Sequence, residues 1–290
     1  MFSGAWSAIV TPLRDGAVDE AALREFIDWQ IQSGIDGIVA CGSTGESATS
    51  SHAEHQQVIK LAVDHARKRI PVWAGTGSNS TAEALRLTSF AREVGADGAL
   101  MISPYYNKPT QEGIYKHFKM IATTVDLPII VYNIPSRTGS NILPETFARM
   151  CDVKNIVGIK EASGSIDQIS DIRRLCGDRL VIMAGDDSFT LPDMALGGKG
   201  VISVISNVMP RETHELTAAA LAGDFARARD IHFRMLPLMR TLFIETNPIP
   251  VKMALALMGK CTPEMRMPLL QLSGGATEKL RSVMKELRLI

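Results

Sequence analysis

The clearest structural signal in the chain is carried by Ile129-Ile130-Val131-Tyr132-Asn133 and, further on, by Ile156-Val157-Gly158-Ile159-Lys160-Glu161. Both stretches are apolar at consecutive positions, as is typical of parallel strands buried on both faces. Each ends on polar side chains. Because positions 132 and 160 are 28 residues apart, about one strand-helix-strand repeat, the sequence predicts that they lie at similar height on neighbouring strands.

Strand and helix patterns alternate along most of the chain. The predicted strands are Ala8–Thr11, Gly37–Cys41, Val72–Ala74, Gly98–Ile102, Ile129–Asn133, Val157–Glu161, Leu180–Ala184 and Gly200–Ile205. The helical patterns between them include Glu20–Ser33, His52–Arg67, Thr81–Val94 and Gly113–Thr124. Caps are predicted at Asp19 and in a capping box of Ser51 with Glu54. Eight strand-helix units without a reversed edge strand favour a closed TIM (β/α)8 barrel, and a doubly wound open sheet is the alternative.

The strand signal stops after Ile205. The remaining sequence predicts helices over Arg211–Ala222, Asp224–Phe243, Pro248–Met258 and Ala276–Leu287. This is more helix than the eighth crossover of a barrel requires. We therefore predict a catalytic barrel over residues 1–223 and a C-terminal helical appendage over residues 224–290.

Composition and charge exclude several classes of function. The 31 basic and 31 acidic residues cancel, so the sequence predicts no nucleic acid and no anionic membrane as a partner. No apolar run approaches the roughly 18 residues of a membrane-spanning helix, and no secretory signal is visible. The four cysteines form no Cys-x-x-Cys pair, which suits a reducing compartment. We expect a cytoplasmic protein.

Lys160 is the candidate nucleophile. Because an ammonium group is costly to bury in an apolar strand, burial would lower its pKa and provide neutral amine to attack a carbonyl. The alternative is a lysine at a strand end that extends its ammonium into water. Tyr132, one repeat earlier, is the candidate proton donor and acceptor for Schiff-base chemistry. The alternative for Tyr132 is an aromatic ring that only fills the barrel.

The loop Gly42-Ser43-Thr44-Gly45-Glu46-Ser47 follows the second predicted strand. Its glycines permit close approach of the backbone to a ligand, and its hydroxyls and amides can donate to a small anion, although a plain strand-to-helix turn is the alternative. The stretch Gly75-Thr76-Gly77-Ser78 lacks the third glycine and the downstream acid of a dinucleotide fingerprint. The sequence therefore predicts no nucleotide cofactor.

No metal site is predicted. His52 and His55 are one helical turn apart, but the His-Glu-x-x-His pattern and a third ligand are missing. Asp186-Asp187 follows the seventh predicted strand, and we expect Asp187 to cap a helix rather than bind a cation.

Four motifs in order resemble the 4-hydroxy-tetrahydrodipicolinate synthase family, formerly called dihydrodipicolinate synthase. They are Gly42-Ser43-Thr44-Gly45-Glu46-Ser47, Pro104-Tyr105-Tyr106-Asn107-Lys108-Pro109, Tyr132-Asn133-Ile134-Pro135-Ser136-Arg137-Thr138-Gly139 and Gly158-Ile159-Lys160-Glu161. The resemblance runs from Ala8 to at least Lys252, and Glu245-Thr246-Asn247-Pro248 also fits. It implies condensation of pyruvate with L-aspartate 4-semialdehyde, on the diaminopimelate route to lysine, by a homodimer or homotetramer.

The resemblance also implies roles for individual residues. Lys160 would form the Schiff base with pyruvate, and Tyr132 would be the centre of a hydroxyl relay with Ser43 and Tyr106. The Tyr106 position would reach across a tight dimer into the neighbouring site. The implied substrate-binding residues are Thr44 for the pyruvate carboxylate, Arg137 for the semialdehyde carboxylate, and Gly185 and Ile202 in the pocket. The family usually has threonine at position 43, so the serine keeps the hydroxyl but loosens its rotamer.

A second implied site would bind lysine as a feedback inhibitor at the tight-dimer interface. Its positions in this chain are Ser47, Ala48, His52, His55, Asn79, Glu83 and Tyr105. This site would account for the histidine pair without a metal.

Two other functions stay open from the sequence. A sialic acid (N-acetylneuraminate) lyase or a 2-keto-3-deoxy sugar acid aldolase would share the lysine and the tyrosine but take another aldehyde. Arg137 and the Tyr105-Tyr106-Asn107 stretch favour the semialdehyde. A barrel that only binds lysine or pyruvate as a sensor is the non-catalytic alternative, and the pairing of Lys160 with Tyr132 argues against it.

Overall fold

The computed structural model describes residues 2–290, and eight of its strands close into a parallel barrel. The strands are β1 Gly4–Ala8, β2 Leu13–Arg14, β3 Ala17–Val18, β4 Gly37–Ala40, β5 Val72–Gly75, β6 Gly98–Ile102, β7 Ile129–Asn133, β8 Ile156–Glu161, β9 Val181–Ala184 and β10 Gly200–Ser203. The barrel runs from β4 through β10 in chain order and closes where β1 pairs with both β10 and β4. Strands β2 and β3 form a separate antiparallel hairpin. The predicted TIM barrel is confirmed, and the doubly wound alternative is excluded.

Helices follow the barrel strands and extend past the last of them. They are α1 Glu20–Gln32, α2 His52–Ala66, α3 Thr81–Glu93, α4 Gln111–Thr124, α5 Pro135–Thr138, α6 Pro144–Met150, α7 Ile166–Cys176, α8 Thr190–Ala195, α9 Pro210–Leu221, α10 Phe225–Thr241, α11 Ile249–Leu257 and α12 Gly274–Glu286. The Asp19 cap and the capping box of Ser51 with Glu54 are both present, as predicted. Across residues 2–290, none of these helices is long and apolar enough to cross a membrane.

The first barrel strand lies earlier than predicted. It spans Gly4–Ala8 rather than Ala8–Thr11, although residues 9–11 are also apolar and buried. The backbone N–H of Val10 donates to the side chain of Asn207 at 3.0 Å, so the chain has left the sheet by that residue. Burial by a loop and burial in a strand leave the same hydrophobic pattern, which explains the error.

The interior of the barrel is closed by two indole rings near the amino ends of the strands. Trp6 and Trp73 meet edge to face, with ring centroids 5.8 Å apart. A side chain at Gly37 would overlap the Trp6 ring, and one at Gly98 would overlap the Trp73 ring. These rings fill the amino end of the barrel, and barrel enzymes carry their chemistry at the opposite end, beyond the carboxyl ends of the strands.

The segment after residue 223 is joined to the barrel by buried charges. Lys252 on α11 is fully buried, and its ammonium lies 2.6 Å from a carboxylate oxygen of Glu46 in the loop after β4. The backbone N–H of Arg266 donates to the other oxygen of Glu46, and its guanidinium pairs with Glu54 on α2. The division at residues 223 and 224 stays a prediction, since these contacts do not define a boundary.

Candidate active site

Lys160 and Tyr132 occupy matching positions on adjacent strands. They are register partners in the pairing of β7 with β8, and the Lys160 ammonium nitrogen lies 4.3 Å from the centre of the Tyr132 ring. Both residues are buried, with 5% and 6% of their surface exposed. Lys160 therefore does not extend into water, and the ring of Tyr132 lies against its amine.

Burial changes the proton affinity of both groups. It lowers the pKa of Lys160 to about 8, with the negative charge of Asp187 opposing this change and the positive charge of Arg137 adding to it. Burial also raises the pKa of the Tyr132 phenol above its usual range. At pH 7 roughly one lysine in ten is then neutral, against fewer than about one in a thousand at the ordinary pKa. The site thus holds a usable amine nucleophile beside a protonated phenol.

A buried carboxylate network fixes the strand ends that carry these two residues. Glu161 accepts hydrogen bonds from the backbone N–H of Ser163 at 2.7 Å, from Asn133 at 3.1 Å and from Gln168 at 3.2 Å. Burial raises the pKa of Glu161, and these bonds oppose that rise. The sequence pattern indicates no role for Asn133 or Glu161. Their positions directly after Tyr132 and Lys160 were the only available signal.

The expectation that Asp187 caps a helix is wrong. Asp186 makes the local cap by accepting from the backbone N–H of Ser188 at 2.9 Å. Asp187 is instead buried, and one of its oxygens accepts from the backbone N–H groups of Val204 at 3.1 Å and Ile205 at 2.8 Å. Burial raises the pKa of Asp187 to about 6. These two backbone partners lie 17 and 18 residues after Asp187, so the local sequence does not indicate them.

A chain of hydrogen bonds connects the glycine-rich loop, residues 42–47, to Arg137. The side-chain amide of Asn247 donates to the Thr44 hydroxyl at 3.0 Å, and the guanidinium of Arg137 donates to the Asn247 backbone carbonyl at 3.0 Å. Thr44 and Asn247 are buried, Ser43 is half-buried, and Arg137 is exposed on α5 after β7. The structure therefore places the predicted carboxylate-binding residues Thr44 and Arg137 on either side of one asparagine.

The two remaining pocket positions lie beside the lysine strand. The backbone N–H of Gly185 donates to the Glu161 carbonyl at 2.7 Å, and a Cβ at this glycine would come within 2.7 Å of the Cβ of Ala162. Ile202 is buried in the same interior cluster as Tyr132. Only glycine fits the close approach at position 185.

Tyr106 does not join this group within one chain. Its surface is 87% exposed, and its φ angle of 71° is in the left-handed region. Its backbone N–H donates to the Thr138 carbonyl at 3.3 Å, which joins the Tyr106 loop to the end of α5. The Tyr106 backbone therefore lies beside the residue that follows Arg137, and its ring is at the surface, whereas the Tyr132 ring is buried.

The residues predicted to bind lysine are only partly brought together. His52 lies 3.2 Å from Glu83, which also accepts from the hydroxyl of Ser78. His55 is buried on the same helix as His52, and burial lowers its pKa. The Asn79 carbonyl accepts from Asn107 at 2.9 Å. In the described part of the chain, no ion pair or side-chain hydrogen bond joins the remaining positions to Glu83; these are Ser47, Ala48 and Tyr105.

Within residues 2–290, no group of three or more His, Cys, Asp and Glu side chains is arranged to hold a metal ion. The four cysteines are free thiols.

Comparison with known proteins agrees with this geometry. The family model described as the dihydrodipicolinate synthetase family matches residues 1–287. The 4-hydroxy-tetrahydrodipicolinate synthase of Syntrophus aciditrophicus is 59% identical over 290 residues, covering all of both chains. The crystal structure of dihydrodipicolinate synthase from Aquifex aeolicus superimposes with a TM-score of 0.98 at 52% identity, covering 99% of each chain. These matches confirm the family and the lyase-type enzyme predicted from the sequence: the chain belongs to the dihydrodipicolinate synthetase family.

Proposed function

We propose that this protein condenses pyruvate with L-aspartate 4-semialdehyde to give 4-hydroxy-tetrahydrodipicolinate, through a Schiff base on Lys160. The observation that carries the proposal is the buried amine of Lys160, 4.3 Å from the centre of the Tyr132 ring and with a pKa of about 8. The dihydrodipicolinate synthase of Acinetobacter baumannii, 44% identical to this chain, is complexed with pyruvate. The reaction belongs to lysine biosynthesis, and we place it in the cytoplasm.

The neutral amine of Lys160 attacks the ketone carbon of pyruvate to form a carbinolamine. Loss of water from that adduct needs a proton donor, and the protonated phenol of Tyr132, whose ring lies against the amine, supplies it. The resulting iminium withdraws electrons from the pyruvate methyl group, so loss of a methyl proton gives an enamine. The enamine carbon then adds to the aldehyde carbon, whose oxygen takes up a proton, and the adduct is again an iminium on Lys160. Attack on the iminium carbon, by the amino group of the semialdehyde or by water, displaces the amine of Lys160 and frees the enzyme. Ser43 and Tyr106 complete the path for these protons.

The two carboxylates of the substrates have separate binding groups. Thr44 binds the pyruvate carboxylate, with Gly185 and Ile202 lining the pocket. Arg137 is exposed at the end of α5, where its planar guanidinium can bind the semialdehyde carboxylate with two hydrogen bonds. Its positive charge also lowers the pKa of Lys160, so it favours the neutral amine.

We further propose that the working form is at least a homodimer. Tyr106 is 87% exposed in one chain, so its ring is available to a second chain and could complete the relay of that chain's Tyr132. One similar solved structure, 43% identical, is of a monomeric dihydrodipicolinate synthase variant, so the family does not fix the oligomeric state. A tetramer of two such dimers is the larger form of the same proposal.

Lysine is the proposed feedback inhibitor. The dihydrodipicolinate synthase of Cyanidioschyzon merolae has been solved with lysine bound. Here the carboxylate of Glu83 and the rings of His52 and His55 provide an anion and nitrogen acceptors for such a ligand. The proposed site comprises positions on α2 and α3, in the loops before them and, with Tyr105, in the loop after β6; none of them is on β7 or β8, the strands that carry Tyr132 and Lys160.

Reduction with borohydride after incubation with pyruvate will attach one reduced pyruvate per chain, at Lys160. The rate of adduct formation will rise with pH through about 8 and level off above it, because burial lowers the pKa and only the neutral amine attacks. Peptide mass spectrometry across a pH series measures both the position of the adduct and the rate at which it forms. Lys160→Arg will form no adduct, and the equally buried Lys252 is the internal control. An adduct on Lys252 alone, or none, contradicts the proposed chemistry.

Arg137→Ala will lower kcat/KM for the semialdehyde by roughly 10- to 100-fold, as expected for the loss of a charge-assisted hydrogen bond. The rate of borohydride capture of pyruvate will change much less. Arg137→Lys is the matched control, since it keeps the charge but loses the planar fork. Equal losses for both substrates, or efficient cleavage of a sialic acid by the wild type, would move the assignment to a sugar acid aldolase.

Mixed chains will test the shared site. Tyr106→Phe and Tyr132→Phe chains will each be nearly inactive alone, but hybrids of the two will recover activity, because one of the two sites in a hybrid dimer keeps both hydroxyls. Steady-state rates after subunit exchange give the readout, with native mass spectrometry to show that hybrids formed. Hybrids that remain as inactive as the parents would rule out a relay that crosses the dimer.

Glu83→Gln will abolish inhibition by lysine while leaving the uninhibited turnover close to that of the wild type. The amide keeps the shape of the side chain but removes the anion that balances the ligand's ammonium. Coupling between the sites is expected to be about 1–3 kcal/mol, or 5- to 150-fold in apparent affinity. Glu93→Gln, exposed at the end of the same helix, is the control. Wild-type activity that is insensitive to millimolar lysine would refute the site.

A further inference from the structure

Asn247 lies between the two proposed carboxylate-binding groups. It is 5% exposed, in the segment between α10 and α11. Its side chain donates to the Thr44 hydroxyl, and its backbone carbonyl accepts from Arg137, both at 3.0 Å. Its amide oxygen has no hydrogen-bond partner among residues 2–290. The bond to Thr44 is therefore the only one that holds this side chain in the described part of the molecule.

The direction of that bond has a chemical consequence. A hydroxyl group has one hydrogen to donate and two lone pairs that accept. Because the amide N–H of Asn247 occupies a lone pair of Thr44, the hydroxyl hydrogen is left to donate elsewhere. Thr44 is 3% exposed, so bulk water does not compete freely for that hydrogen. A carboxylate oxygen accepts such a hydrogen bond more strongly than a neutral group does.

We infer that Asn247 is a positioning residue that directs the Thr44 hydroxyl hydrogen toward the pyruvate carboxylate. The inference rests on the proposed function, since it takes pyruvate as the ligand of Thr44. Asn247 itself touches no reacting atom in this scheme. It acts by donating its amide N–H to the Thr44 hydroxyl oxygen, which leaves the Thr44 hydroxyl hydrogen free to donate to the ligand.

The two bonds of Asn247 differ in what a substitution removes. Replacing the side chain removes the donor to Thr44 but keeps the backbone carbonyl that accepts from Arg137. The inference therefore predicts a split between substrates: binding of pyruvate weakens, whereas use of the semialdehyde at saturating pyruvate changes little. A residue that only supported the fold would affect both substrates together.

Asn247→Asp is the sharpest substitution, because it keeps the shape and replaces the donor with an acceptor. The Thr44 hydroxyl must then donate to the new carboxylate, and its hydrogen is lost to pyruvate. Borohydride capture at Lys160 across a pyruvate titration will show a half-saturating concentration raised roughly 10- to 100-fold. Asn247→Ala, which is neutral and smaller, will show a smaller rise and an unchanged KM for the semialdehyde.

A double-mutant cycle with Thr44→Val separates this mechanism from charge repulsion and from misfolding. Thr44→Val keeps the side-chain shape but has no hydroxyl, so adding Asn247→Asp will raise the half-saturating pyruvate concentration less than about twofold further. A full additional loss in that background would overturn the inference. The inference would also be overturned if the wild type forms the adduct and Asn247→Asp has the same half-saturating pyruvate concentration as the wild type. If the wild type forms no adduct at Lys160, the proposed function is overturned as well.

Discussion

Removal of Lys160 from water is the constraint on which the rest of this site depends. An ammonium in an apolar barrel is unfavourable, and burial lowers the pKa of Lys160 to about 8, so that part of the lysine is neutral near neutral pH without an ion pair to a carboxylate. Lys252 shows the other solution, since it is also buried but lies 2.6 Å from Glu46. The two lysines differ in their nearest partner, an aromatic ring for one and a carboxylate for the other. That difference separates the proposed nucleophile from a structural charge.

Much of the architecture could be predicted because it depends on local pattern. Apolar runs one repeat apart placed Tyr132 and Lys160 on neighbouring strands, and the helix caps followed from residues three positions apart. The first strand could not be placed correctly, because a buried loop and a buried strand share one pattern. The prediction for Asp187 was wrong for a related reason: its partners are the backbone N–H groups of Val204 and Ile205, just after β10, and no local motif indicates them.

The residues that the sequence left without a role share one property, which is that their contacts are distant along the chain. Asn247 meets Thr44 across 203 residues, and Lys252 meets Glu46 across 206. Asn133 and Glu161 are closer, 28 residues apart, yet each looks like an ordinary polar residue at a strand end. Resemblance to a family named the groups expected to touch substrate. It did not name the groups that hold them in place, and the structure supplies those.

These distant contacts let the C-terminal segment hold residues of the proposed site in place. The barrel positions Lys160 and Tyr132 through strand register, but the glycine-rich loop lies beyond the end of β4 and has no such register. Its buried Glu46, in the left-handed region with a φ of 55°, is held by Lys252 and by the backbone of Arg266. Breaking a buried pair of this kind costs about 3–5 kcal/mol, far more than a surface pair, so the loop is held firmly. The barrel thus fixes Lys160, and the segment that follows it fixes the loop that carries Thr44.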